Sequence, residues 1–179
     1  EPYAQVALRQ AQEWDDEGTA CEALSTLALL AYTAKDYEKA LPLLEECLVM
    51  AARMPNGKQL AWQHYKSAQV YLDYGNLARA AEHFAESGRL WAERNEVLAV
   101  TYCQSGQANC LFRQGAIARA NELYEITLVT YRKFSADRAI AWTLWNLAHV
   151  AAVAGNGSQI DALLAESLAL FGSRHDSAG

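Results

Sequence analysis

Four turn signals stand forty residues apart in this chain, and that spacing constrains its fold more than any single motif. They are Lys35-Asp36, Gly75-Asn76, Gly115-Ala116 and Gly155-Asn156. Repeats of roughly 20–50 residues are the signature of arrays in which each unit buries its apolar face on its neighbours. The register extends beyond the turns. Ala28, Ala68, Ala108 and Ala148 each precede a turn by seven residues, and Ala40, Ala80 and Ala120 follow one by five, with Ile160 in the last copy. Leu44, Phe84, Tyr124 and Leu164 fill a large slot, and Cys47, Ser87, Thr127 and Ser167 a small one. Small residues aligned with large ones imply closely approaching helices whose grooves are filled by the bulky side chains.

Each copy reads as two helices. Leu24, Leu27, Ala28 and Ala31 give an i, i+3, i+4, i+7 stripe before the first turn, and Tyr37, Ala40, Leu44, Cys47 and Leu48 continue it afterwards. The pattern predicts helices over 3–15, 20–34, 37–53, 58–74, 77–94, 97–114, 117–134, 137–154 and 158–171. Thr19 with Glu22 forms a capping-box pattern, and Ser135 or Asp137 begins the helix that contains Trp142. Pro55 ends a helix near Met54, and Pro42 is expected to bend or weaken the start of its own. Lysine at position 35, where the other copies carry glycine, implies a turn with no need for left-handed backbone or for close approach to a phosphate.

These features resemble the tetratricopeptide repeat. The residues that carry the likeness are Leu24, Leu27, Ala28, Tyr37, Ala40 and Leu44 in copy one, then Ala68, Tyr71, Gly75, Ala80 and Phe84 in copy two. Copy three contributes Ala108, Gly115, Ala120 and Tyr124, and copy four Leu144, Leu147, Ala148, Gly155 and Leu164. The period is longer than the usual value of about 34, and alanine stands throughout where the consensus has a glycine in the first helix. The resemblance implies an all-α, right-handed superhelical solenoid of antiparallel helix pairs. It divides the chain, a single array over 1–179, into the second helix of a truncated repeat (1–16), repeats at 20–54, 58–94, 97–134 and 137–172, and a tail at 173–179. Stretches such as "DRAIAWTLWNLAHVAAVAGN" are also similar to the helical arrays of large bacterial regulators of the LuxR/MalT and AfsR types. Residues 1–15 read as the second helix of a preceding copy, with Ala7 and Leu8 aligned to Cys47 and Leu48, so an excised fragment of a longer protein is expected. The apolar pattern of the last helix alternatively places a second copy against that edge.

Composition removes other classes. A formal net charge of −6 opposes direct nucleic-acid binding. Residues 1–50 hold ten acids and three bases, and 51–138 eight acids and eleven bases, an excess too small for a phosphate-binding patch. No segment is long and apolar enough to cross a membrane, and no signal peptide is visible, so the expectation is a cytoplasmic protein. Cys21, Cys47, Cys103 and Cys110 form no CxxC pair and sit in helical apolar patterns as reduced, structural thiols. His64, His83, His149 and His175 are scattered without ligand spacing. "GNGS" at 155–158 and "NGK" at 56–58 lack the strand and the GK[ST] ending of a phosphate loop. Glu45 and Glu46 diverge around their helix. No metal, cofactor or enzymatic activity is expected.

In the tetratricopeptide family the first helix of each pair lines the concave surface. Trp62, Tyr102 and Trp142 recur at the period and are expected to pack between repeats. The non-recurring wall residues are the candidate partner-binding groove: Tyr65, Gln69 and Asp73, then Ser105, Asn109 and Arg113, then Trp145 and His149, with Val153 completing the last stripe. Each trio follows i, i+4, i+8 along one helix face. Aromatic bodies beside amide and guanidinium groups suit a protein or peptide partner. The expected function is a protein- or peptide-binding scaffold within a bacterial signalling or transcriptional regulator. A spacer or homo-oligomerisation array joined through apolar terminal helices, and a small-molecule effector sensor, are the alternatives.

Overall fold

The computed structural model describes residues 2–14, 16–55 and 57–172. The expected tail at 173–179, with His175, lies outside them. The described residues form nine α-helices and no strand: α1 (Pro2–Glu13), α2 (Glu17–Thr33), α3 (Tyr37–Arg53), α4 (Lys58–Tyr74), α5 (Leu77–Ala92), α6 (Val97–Arg113), α7 (Ile117–Lys133), α8 (Asp137–Val153) and α9 (Gly157–Gly172). They fall into two compact units, Glu1–Glu96 with α1–α5 and Val97–Gly179 with α6–α9. In unit 1, α2 pairs with α3 and α4 with α5, while α1 packs on α2 and α3 on α4. In unit 2, α6 pairs with α7 and α8 with α9, and α7 packs on α8.

The turns overturn the expectation drawn from Lys35. Lys35, Asn95 and Ser135 take φ of 60°, 59° and 50°, and Gly75, Gly115 and Gly155 take 95°, 81° and 75°. All six are left-handed, whatever their side chain. The cause lies in the backbone at each helix end. The amide of the left-handed residue bonds a carbonyl three residues back (Lys35 to Tyr32, Gly75 to Leu72), and the next amide reaches five back (Asp36 to Ala31, Asn76 to Tyr71). This paired closure is the Schellman motif, which satisfies the last carbonyls and requires positive φ. A Cβ added at Gly75, Gly115 or Gly155 meets nothing within 4 Å, so a non-glycine residue incurs only the local backbone strain. The residue after each turn then begins the next helix. Asp36 accepts from the Lys39 amide at 3.1 Å and Asn76 from that of Arg79 at 3.2 Å.

One start and one suspected bend differ from expectation, and one open choice is decided. Helix α2 begins at Glu17 because Asp16 is its cap, accepting from the Thr19 amide at 3.1 Å and the Thr19 hydroxyl at 2.6 Å. Thr19 therefore donates where the capping-box reading made it the acceptor. Asp137 opens α8, whereas Ser135 belongs to the preceding turn. Helix α3 runs through Pro42, and burial of Ala40, Leu44, Cys47 and Ala51 offsets the one backbone bond that proline removes. Met54 is extended, as a residue before proline should be.

The aligned alanines and large residues are buried together. Ala28, Ala40 and Leu44 share one cluster, and Ala108, Ala120, Tyr124 and Leu144 another. The small slot has a second role that its apolar context concealed. Cys47 Sγ donates to the Cys21 carbonyl at 3.4 Å, Ser87 Oγ to that of Ala61 at 2.8 Å and Ser167 Oγ to that of Ala141 at 2.8 Å. A polar hydrogen on a small side chain thus ties the second helix of a pair to the backbone of the first. Thr127 instead bonds the Tyr124 carbonyl of its own helix at 2.8 Å. All four cysteines are buried, and none joins a disulfide among the described residues.

Candidate functional site

The recurring aromatics pack within each helix pair, where packing between repeats was expected. Trp62 meets Trp91 at 5.5 Å, Tyr102 meets Tyr131 at 5.3 Å and Trp142 meets Phe171 at 5.8 Å between ring centroids. Each couples the first helix of a pair to the second. Trp62 nevertheless keeps 42% of its surface exposed and Trp142 49%. Copy one has Glu22 and Ala51 at the matching positions and no such aromatic pair.

In unit 1 the wall residues border a cavity between α2 and α4. Its volume is about 230 Å3, with Ala28, Leu44 and Val70 at its base. Tyr32, Trp62 and Tyr65 supply aromatic sides, and Ser25, Lys66 and Gln69 supply the polar atoms. A wider, more polar recess of about 500 Å3 shares Ser25, Leu29, Trp62 and Lys66 and adds Glu22 and Gln59. Tyr65 is held in place: its ring stands edge-on to Trp62 at 5.9 Å and to Phe84 at 5.7 Å, and its hydroxyl accepts from Gln69 Nε2 at 3.2 Å. Asp73 does not line the cavity. It accepts the Tyr32 hydroxyl at 2.5 Å, linking α4 to α2, and burial together with that bond raises the Tyr32 pKa well above the usual phenol range.

Unit 2 holds the remaining candidates. Trp145 is 41% exposed, edge-on to Trp142 at 5.7 Å and 4.1 Å from the His149 ring centroid. Asn109 accepts the Tyr124 hydroxyl at 2.5 Å, so it braces α6 against α7. Ser105 is half-buried, and Arg113 is exposed in the last turn of α6. Trp145 and His149 thus form one contiguous surface, whereas Asn109 is engaged within the fold.

Sequence reasoning missed Ser25, Leu29 and Lys66. The signal was present, because Ser25 and Leu29 are the copy-one counterparts of Tyr65 and Gln69. Following stripes down single helices hides a cavity formed between two of them. The same blindness applies to the histidines called scattered. His64 on α4 and His83 on α5 meet with Nδ1 atoms 2.9 Å apart, one nitrogen donating to the other. Tyr71 stacks on His83 at 5.3 Å and donates to Glu45 at 3.1 Å. Burial holds both imidazoles below their ordinary pKa, His83 to about 4 with help from the His64 and Arg79 charges. Among the described residues no three His, Cys, Asp or Glu side chains converge as a metal site would require. No helix of the described residues is long and apolar enough to cross a membrane.

A further polar chain runs beneath the cavity. Lys66 Nζ donates to Ser25 Oγ at 2.6 Å, Ser25 Oγ to Gln63 Oε1 at 3.4 Å, and Gln63 Nε2 to Cys21 Sγ at 3.6 Å. Gln59 Nε2 also reaches that sulfur, at 3.7 Å. The hydrogen bond with Cys47 and these donors draw the Cys21 thiol below its usual range, and its partner Cys47 is pushed up.

Neither a protein-family model nor a curated relative matches the sequence. Solved structures do. BtubC (BKLC) from P. vanneervenii aligns at a TM-score of 0.79 and 20% identity, over 94% of this chain and 71% of that one. The apo form of RapI aligns at 0.84 and 17%, over 97% and 63%. A Rap protein complexed with Competence and Sporulation Factor aligns at 0.80 and 13%, over 94% of this chain and 47% of its own. Identities this low establish the fold alone. The chain is an all-α helical-repeat protein with the tetratricopeptide-like architecture of these neighbours.

Proposed function

We propose that the chain is a protein- or peptide-binding scaffold that captures a segment of its partner on the first helices of its pairs, within a larger bacterial signalling or transcriptional regulator. The observation that carries this reading is the exposed aromatic wall beside the α2–α4 cavity. Trp62 and Tyr65 are fixed by edge-on contacts yet remain accessible. Rigid aromatic anchors beside a preformed apolar pocket are what binding hot spots require, since little ordering entropy is lost on capture. Trp145 and His149 offer a second anchor of this kind in unit 2. Among the structural neighbours, one Rap protein is described in complex with the Phr* peptide, in keeping with peptide capture on this fold. Another is named an aspartyl phosphate phosphatase. The candidate groove here offers aromatic, amide and hydroxyl groups with one lysine, which suits recognition and not catalysis.

Selection of peptides from a displayed library, followed by calorimetry with the enriched sequence, tests the proposal. Tyr65→Ala with Trp145→Ala should weaken binding by about a hundredfold, in the range of two hot-spot truncations, while the melting temperature moves little. Unchanged affinity in that double variant would refute the groove. A second reading, assembly of copies through the terminal helix, is favoured by α9. Of its described side chains only Ser167 is buried, and Leu168 is 68% exposed. Sedimentation that stays monomeric at high concentration would exclude it.

A further inference from the structure

Resting on the groove reading and naming its ligand chemistry, we infer that the α2–α4 cavity takes a bulky apolar group that carries a carboxylate, with the carboxylate on Lys66. The cavity is mostly apolar with a few polar groups on its wall. Ala28, Leu44 and Val70 form an apolar base that fits a branched or aromatic body, with Trp62 and Tyr65 able to meet it edge-on. Its one charged group is Lys66, which meets Ser25.

Lys66 differs from the ion-paired arginines of the unit. Arg53 pairs with Glu17 and Arg89 with Glu86 and Glu93. Lys66 has a neutral partner, the Ser25 hydroxyl, and no carboxylate within ion-pair distance among the described residues. Glu22 lines the adjoining recess without closing that gap. An ammonium with one donor occupied has two hydrogens left for a ligand. Ser25, itself almost fully buried, fixes the Lys66 side chain at the cavity rim, so the cation is placed before the ligand arrives. A charge-assisted bond there favours a carboxylate over its neutral isostere.

The probes are N-acetyl-phenylalanine as its carboxylate and N-acetyl-phenylalaninamide, titrated calorimetrically into the full chain at low salt. The acid should bind about tenfold more tightly than the amide, as one charge-assisted bond predicts. Lys66→Gln should erase that preference, Lys66→Arg should retain it, and Tyr65→Ala should weaken both probes alike. Melting curves check that each variant is folded. Equal affinity for acid and amide, a preference that survives Lys66→Gln, or no binding of either probe up to about 10 mM, near the limit of weak recognition, would overturn the inference. A short peptide ending in phenylalanine, compared with the acetylated amino acid, separates two sources of the same chemistry. Tighter binding of the peptide assigns the carboxylate to a chain end, and equal binding assigns it to a free acid. Selected peptides that bind through Tyr65 but show no dependence on Lys66 would sink this inference and leave the groove reading intact.

Discussion

Unit 1 and unit 2 place the same frame under different chemistry, because residues eighty apart occupy matching positions. Ala28 and Ala108, Ala68 and Ala148, and Trp62 and Trp142 correspond, and Ser87 and Ser167 make the same bond to a carbonyl 26 residues back. The wall differs. Tyr65 faces Trp145, Lys66 faces Asn146 and Gln69 faces His149 across the comparison. The interior differs too: the His64–His83 pair of unit 1 has Leu144 and Leu163 as its counterparts. Frame positions are therefore set by packing, which each pair must repeat, whereas wall and selected interior positions are free to carry separate chemistry.

The largest effect should come from breaking the frame. Phe84→Ala removes a ring that is 1% exposed and should cost about 3–5 kcal/mol in denaturant unfolding. Trp145→Ala, on the exposed wall of unit 2, should cost about 1 kcal/mol or less. Comparable losses would mean that wall and frame are not separable.

Acid should divide the units next. A histidine whose pKa falls on folding is destabilising once the unfolded chain is protonated, so its stability is complete above the unfolded pKa and declines as pH falls. For His83, held at about 4 from an ordinary 6.5, that window is pH 6.5 to 4. Over it unit 1 should lose roughly 2–3 kcal/mol, His64 adding in the same direction. Hydrogen exchange resolved by helix should show α4 and α5 opening with acid while α8 and α9 hold. His64→Leu with His83→Leu, copying unit 2, should remove the difference.

The turns give a smaller contrast. Lys35→Gly and Ser135→Gly relieve left-handed strain and should each stabilise by about 1 kcal/mol, whereas Gly75→Ala should cost a similar amount. Thermal melts at fixed pH read the sign directly. The smallest change concerns Ser67, the counterpart of Leu147, whose buried hydroxyl has no hydrogen-bond partner among the described residues. Ser67→Ala should be neutral to about 1 kcal/mol stabilising, and a loss larger than that would reveal an ordered water on the hydroxyl.

Much of the fold was legible because apolar period and turn position are written along the chain. Helix limits fell within a few residues of those expected, and the largest error, at α2, arose because either Asp16 or Thr19 has an oxygen suited to a cap. The left-handed turns were misread from Lys35, since the requirement belongs to backbone amides closing a helix end and not to the side chain. The candidate wall was only partly legible. Asp73 and Asn109 look like groove residues on a helical wheel, yet each accepts a phenol from a neighbouring helix. Ser25, Lys66 and the histidine pair acquire meaning only when two helices meet, and no stripe along one helix records that.

The packing of each helix chiefly on its neighbours in sequence has a kinetic consequence. Within each unit the closest helix–helix packing joins adjacent elements, with α2 and α4 meeting through side chains, and the connections between adjacent helices are only a few residues long. Little loop entropy has to be lost before a contact forms, so relative contact order is low and folding should run on a microsecond-to-millisecond scale. Formation can begin at any pair whose turn closes first and spread outward. The same locality lets one pair open without unravelling its neighbours, so amide exchange should report separate protection for the α2–α3 and α4–α5 pairs of unit 1.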